Sequence, residues 1–170
     1  NGAIFQTTTD SEVILHLIAH EKETNLVDVL KKILLRLKGA YSLILMTPDT
    51  MYAIRDPYGF RPLVIGKLNQ SFIFCSETCA LDIVSAEFIR EVSPGEIVEV
   101  KNGKLNSYKF ATQQKKSFCI FEYVYFSRPD SIIEGQSVHE VRVRLGRNLF
   151  KEQPTNADIV IAVPDSANSA

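Results

Sequence analysis

Arg55, Asp56 and Arg61 crowd a short stretch, residues 55–66, that also holds two prolines, two glycines and two aromatic residues. Pro57 fixes its own φ and Gly59 can adopt backbone shapes that other residues resist, so the stretch reads as a tight turn. A turn does not need two guanidinium groups and a carboxylate beside it. Those charges either brace the turn or serve chemistry. Asp10 is the second group of interest. It lies in Thr9-Asp10-Ser11-Glu12, which has the form of a capping box. As a bare feature Asp10 is a helix N-cap. Thr9 and Glu12 can supply the cap by themselves, however, which leaves the Asp10 carboxylate free to face a pocket. The cysteines Cys75, Cys79 and Cys119 are all internal, and Cys75 and Cys79 are read as small buried hydrophobes. His16 and His20 stand four apart without a third ligand to complete a metal site, and they read as helix-surface residues. Asp165 and Ser166 follow an apolar run in a turn.

The elements that position these groups follow from periodicity. Val13, Ile14, Leu17 and Ile18 recur at helical spacing behind Asp10. A second helix is predicted over residues 25–38, with Leu26, Val29, Leu30, Ile33, Leu34 and Leu37 as its apolar stripe and Gly39 as its C-terminal cap. Strands are predicted over 41–46 and 51–55 around Pro48-Asp49, and over 63–68 and 71–75 around Asn69-Gln70. Residues 51–55 and 63–68 read as the two arms of a hairpin closed by the Pro57–Gly59 turn. A short helix over 78–86 has Ser76 and Glu77 as its caps. Residues 96–101 and 104–110 form a hairpin closed by Asn102-Gly103, a type I′ signal. Residues 113–117 are polar and basic and read as a linker. Residues 118–126 read as an extended aromatic run whose rings belong to a core. Ser137 caps a helix that runs to Glu152, and residues 158–163 form an apolar strand of the buried type.

The bulk numbers exclude several classes of function. With 45% hydrophobic and 23% charged residues the composition is that of an ordinary globular protein. A net charge of −1 offers no electrostatic case for nucleic acid. No apolar run approaches a membrane span. Three cysteines, an odd number in 170 residues, argue against a disulfide framework and fit a reducing, cytoplasmic setting.

Five ordered segments carry a resemblance: residues 55–66, Ser-Glu-Thr-Cys-Ala-Leu-Asp at 76–82, Ser-Pro-Gly-Glu at 93–96, Cys-Ile-Phe-Glu-Tyr-Val-Tyr-Phe-Ser-Arg-Pro-Asp-Ser at 119–131, and Ile-Ala-Val-Pro-Asp-Ser at 161–166. The chain resembles the class II glutamine amidotransferases, which are N-terminal-nucleophile hydrolases, and among them the amidophosphoribosyltransferase family. The resemblance covers essentially the whole chain. It implies an α+β fold: part of an N-terminal-nucleophile hydrolase αββα sandwich over residues 1–117, then the junction and first elements of an α/β phosphoribosyltransferase domain over 118–170.

The resemblance also implies roles. In the family an N-terminal cysteine, with its own amine as base, hydrolyses glutamine. No cysteine here carries a free α-amine, so the chain reads as an internal piece of a longer enzyme, cut at both ends and inactive alone. Asn1-Gly2 is not the family's oxyanion Asn-Gly pair, because the residues after it fit the stretch leading to Asp10. Asp10 matches the aspartate that binds the α-ammonium of glutamine. Tyr123, in the junction, matches the region through which ammonia passes between the two sites. Asp165 and Ser166 match the pyrophosphate-side turn. Cys119 stands where some members ligate a [4Fe-4S] cluster and others keep a plain cysteine. The family further implies Mg²⁺ with phosphoribosyl pyrophosphate, purine nucleotides as feedback inhibitors, and a homo-oligomer. Two alternatives stay open. One is another class II amidotransferase of the glucosamine-6-phosphate synthase or asparagine synthetase kind. The other is a non-catalytic relative acting as a binding module.

Overall fold

The structure, a computed structural model, describes residues 5–112 and 115–170. Asn1-Gly2 and part of the 113–117 linker lie outside the described residues. Contacts divide the chain into two compact units, residues 1–59 with 93–116, and residues 60–92 with 117–170. The change of unit at 116–117 falls at the predicted linker. The grouping of 60–92 with the later residues is not visible in the sequence pattern.

In the first unit, helices α1 (Glu12–His20) and α2 (Leu26–Leu34) accompany a four-stranded antiparallel sheet. Its order is β1 (Ser42–Met46), β2 (Thr50–Arg55), β6 (Glu96–Lys101), β7 (Lys104–Lys109). The Asn25 side chain accepts from the Val27 N–H, which starts α2. Val29, Leu30, Ile33 and Leu34 then fall on one face and join Tyr52, Ile54, Ile97 and Phe110 in a buried cluster. Alternation along β2 puts Tyr52 and Ile54 toward α2 and leaves Ala53 and Arg55 on the other face. The β6–β7 turn has positive φ at both Asn102 and Gly103, as the type I′ signal requires. Helix α2 ends four residues before its predicted end.

The second unit holds a three-stranded sheet of order β4 (Ser71–Cys75), β3 (Val64–Leu68), β5 (Glu87–Glu91), the helix α3 (Thr78–Ile83), a two-stranded ribbon of β8 (Ile132–Ile133) and β9 (Gln136–Ser137), and α4 (Val138–Glu152). Gly66 in β3 lets α3 pack closely: a Cβ there would lie 2.4 Å from a Leu81 methyl carbon. Four expectations are corrected. Strands β2 and β3 sit in different sheets, so residues 56–63 cross between sheets and close no hairpin. Strand β5 was not anticipated; Glu-Phe-Ile-Arg-Glu carries charge at Glu87, Arg90 and Glu91 around only two apolar residues, which hides its pairing with β3. Residues 118–126 are not extended, because Glu122–Phe126 forms a π-turn. Residues 158–163 form no strand, and Ile159, Val160, Ile161 and Val163 are exposed. A buried-type strand needs neighbours on both edges and cover on both faces. None of the described residues supplies them.

Candidate functional site

Asp10 stands just before α1 and lines a groove of about 250 Å³ with Val13, Lys38, Tyr41 and Leu43. The predicted capping box does not form. The Glu12 carboxylate instead accepts from the Gln6 N–H (2.8 Å), the Thr7 N–H (2.9 Å) and the Thr7 hydroxyl (2.6 Å). The Gln6 N–H, then the Thr7 hydroxyl, hold its carboxyl down at about 2. Ser11 occupies the N-cap position without a side-chain cap. Thr9 donates its N–H to the Thr7 hydroxyl, 3.2 Å away. Glu12 is therefore drawn back onto residues 6 and 7, and the Asp10 side chain takes no part in capping. Among the described residues the exposed Asp10 carboxylate has no hydrogen-bond or ion partner. Beside the half-buried Tyr41, whose hydroxyl donates to the Leu34 carbonyl, it is an anion at the mouth of a largely apolar groove. Such a group can pair with a small cation.

The turn after β2 is braced largely as its charges suggest. Arg55 is buried and its guanidinium donates to the Gly59 carbonyl. The Asp56 carboxylate accepts from the Tyr58 N–H at 2.8 Å, and the Gly59 N–H returns to the Asp56 carbonyl at 3.1 Å. Gly59 has φ of +63°, and a Cβ there would lie 2.7 Å from the Pro94 ring. Arg61 departs from the expectation. It donates to Glu122 at 2.6 Å, and its guanidinium lies 4.2 Å from the centre of the Phe126 ring.

Within the second unit the junction is held by a set of polar contacts that the sequence analysis missed. Glu122 is buried and accepts from Arg61 on one oxygen and from the Ser127 hydroxyl on the other, each at 2.6 Å. Arg142 of α4 is buried and donates to the Tyr123 and Ser127 carbonyls, each at 2.7 Å. Glu77 occupies the N-cap position of α3, but its side chain makes no cap bond: its carboxylate accepts from the Arg128 N–H (2.9 Å) and the Ser131 hydroxyl (2.7 Å). The Thr78 hydroxyl accepts from the Ile132 N–H, and Glu91 accepts from the Glu134 N–H, both at 2.8 Å. Signals for two of these were present. Glu122 is a lone carboxylate in the apolar run 120–126, and Arg142 sits on the apolar stripe of α4, four residues after Val138.

The other predicted site residues lie as follows. Tyr123 is buried, its hydroxyl donates to the Ile133 carbonyl at 2.7 Å, and burial pushes its phenol upward. Cys119 is a half-buried free thiol whose N–H reaches the Phe60 carbonyl. Asp165 precedes a single 3₁₀ turn, Ser166–Ser169, that contacts α4. No group of three or more His, Cys, Asp or Glu residues is placed to hold a metal among the described residues.

Residues 1–82 match the family described as "Glutamine amidotransferase domain". That match and the α+β fold point to a glutamine amidotransferase domain. Over nearly its full length the chain is similar to amidophosphoribosyltransferases. It is 45% identical over 174 residues to the amidophosphoribosyltransferase of Rhizobium etli, which accounts for 99% of this chain and 35% of that protein. It is 48% identical to the chloroplastic amidophosphoribosyltransferase of Vigna aconitifolia, with 98% of this chain and 34% of that one covered. The solved glutamine phosphoribosylpyrophosphate amidotransferase of Bacillus subtilis, complexed with ADP and GMP, matches with a TM-score of 0.96 at 45% identity, over 99% of this chain and 37% of that one. The chain thus spans about a third of the length of the relatives it matches.

Proposed function

We propose that the whole protein makes 5-phosphoribosylamine from phosphoribosyl pyrophosphate and ammonia drawn from glutamine, the first committed step of purine synthesis. The observation that supports this most is the likeness to amidophosphoribosyltransferases across 99% of the chain, on both sides of the 113–117 linker. A likeness confined to the glutaminase part would equally fit other class II enzymes. Asp10 receives the α-ammonium of glutamine, since its carboxylate is left free at the groove while Glu12 turns back to Gln6 and Thr7. Tyr123 is assigned to the ammonia passage: with its hydroxyl committed to Ile133, it offers an apolar ring that does not compete for ammonia. The turn at Asp165 and Ser166 holds the pyrophosphate side of phosphoribosyl pyrophosphate, with Mg²⁺ on the phosphates. Residues 1–117 and 118–170 are assigned to the glutaminase and phosphoribosyltransferase domains. A purine nucleotide is the proposed feedback ligand, in keeping with the ADP and GMP in the Bacillus subtilis complex. A homo-oligomer and a cytoplasmic setting complete the reading, and Cys119 is assigned as one cluster ligand if the whole protein supplies the remaining thiolates.

The test is an assay of the full-length protein with glutamine, phosphoribosyl pyrophosphate and Mg²⁺. Release of glutamate and pyrophosphate in equal amounts is expected. Glutamate release that ignores phosphoribosyl pyrophosphate and follows another acceptor would favour a different amidotransferase. No release of either would favour a binding module.

A further inference from the structure

The π-turn at Glu122–Phe126 is set by two contacts between the same two residues. The Ser127 N–H donates to the Glu122 carbonyl at 3.1 Å, and the Ser127 hydroxyl donates to the Glu122 carboxylate at 2.6 Å. Both span five residues, so side chain and backbone select the same wide register. An α-turn would instead pair the Glu122 carbonyl with the N–H of Phe126, moving each later ring by one position. Two other groups engage the segment in this wide register. Arg142 bridges the Tyr123 and Ser127 carbonyls with one rigid guanidinium, and Arg61 joins Glu122 while lying over Phe126. π-turns inside helical segments recur at functional positions.

We infer that Glu122 and Ser127 are positioning residues for ammonia transfer: by fixing the π-register they set which ring of the Tyr123–Phe126 run points inward, with Tyr123 on Ile133 and Phe126 under Arg61. This rests on the function proposed above and adds to it the residues that keep the junction in register. Neither residue touches a reacting atom. Their loss misplaces the rings between the two reactions and leaves the two reactions themselves intact.

The experiment uses full-length protein carrying Ser127→Ala, which removes one hydroxyl, and separately Glu122→Gln, which presents an amide N–H or a neutral oxygen to Arg61. Three rates are measured: glutamate release, synthesis from glutamine, and synthesis from added ammonium. The expected result is a severalfold rise in glutamate released per pyrophosphate released, with ammonium-dependent synthesis near the unsubstituted level in both variants. An unchanged ratio overturns the inference. So does parallel loss of all three rates in both variants, which would make the pair merely structural. The unsubstituted protein separates this outcome from failure of the proposed function: if it makes no product from glutamine, the function fails, whatever the variants do.

Discussion

Helix α2 and the junction segment are held by opposite means. Leu30, Ile33 and Leu34 of α2 are fully buried and meet Tyr52, Ile54 and Ile97 through apolar contact alone. Residues 117–137 are held largely by directed hydrogen bonds, donated by Arg61 and Arg142 and accepted by Glu77, Thr78 and Glu91. Apolar burial is nondirectional and tolerates a change of shape at constant volume. A buried charged donor is intolerant, because an unpaired carbonyl or guanidinium keeps its full desolvation penalty. Conservative substitutions should therefore be mild in α2 and severe at the junction.

The largest effect is expected for Arg142→Lys. A single ammonium cannot reproduce the fork onto two carbonyls, and loss of such bonds costs about 2–4 kcal/mol. Amide hydrogen exchange in α4 and at Ser127 should accelerate accordingly, and unchanged protection would break the contrast. Gly66→Ala tests the apolar part of the same unit. A Cβ at 2.4 Å and 2.9 Å from the Leu81 methyls forces repacking, at a cost of about 1–3 kcal/mol, read as faster exchange in β3 and α3. Leu30→Met should cost less than about 1.5 kcal/mol, with α2 protection nearly unchanged. A larger loss there than for Arg142→Lys would reverse the comparison. The smallest effect concerns Glu12. Its carboxyl lies at about 2 against an ordinary 4.5, so its contribution is complete above pH 4.5 and is lost as pH falls toward 2. The Gln6 and Thr7 amide resonances should follow that titration. A midpoint near 4.5 would contradict the clasp.

The same contrast explains what could be read in advance. The α2 stripe, the Asn102-Gly103 hairpin and the Ser137 cap, whose hydroxyl accepts from the Glu140 N–H, are local patterns with a period or a fixed offset. They were legible because three or four neighbouring residues decide them. The partners of Glu77 lie 51 and 54 residues away, and Arg61 and Glu122 lie 61 apart. No periodicity announces such pairs. The π-turn was misread because alternating large rings at 121–126 resemble a strand until Glu122 finds its partners. The β2–β3 hairpin was misread because Pro57 and Gly59 do make a turn, and a turn does not say which sheet the chain enters next. At the groove, the expectation that the Asp10 carboxylate stays out of the helix cap agrees with the structure. The reason its carboxylate is free was misassigned: the Glu12 clasp reaches Gln6 and Thr7 and does not involve Thr9.

The central claim, that Asp10 holds the α-ammonium of glutamine, is tested most directly by Asp10→Asn in the full-length protein. Asparagine keeps a side-chain oxygen and caps as well as aspartate does, so a purely structural role predicts little change. A charge-assisted bond contributes about 1.5–3 kcal/mol, so kcat/KM for glutamine should fall roughly 10- to 100-fold. Synthesis from added ammonium should persist, because on this account it bypasses the groove at Asp10. Glutamine kinetics within about twofold of the unsubstituted protein, or an equal loss with ammonium, would contradict the assignment.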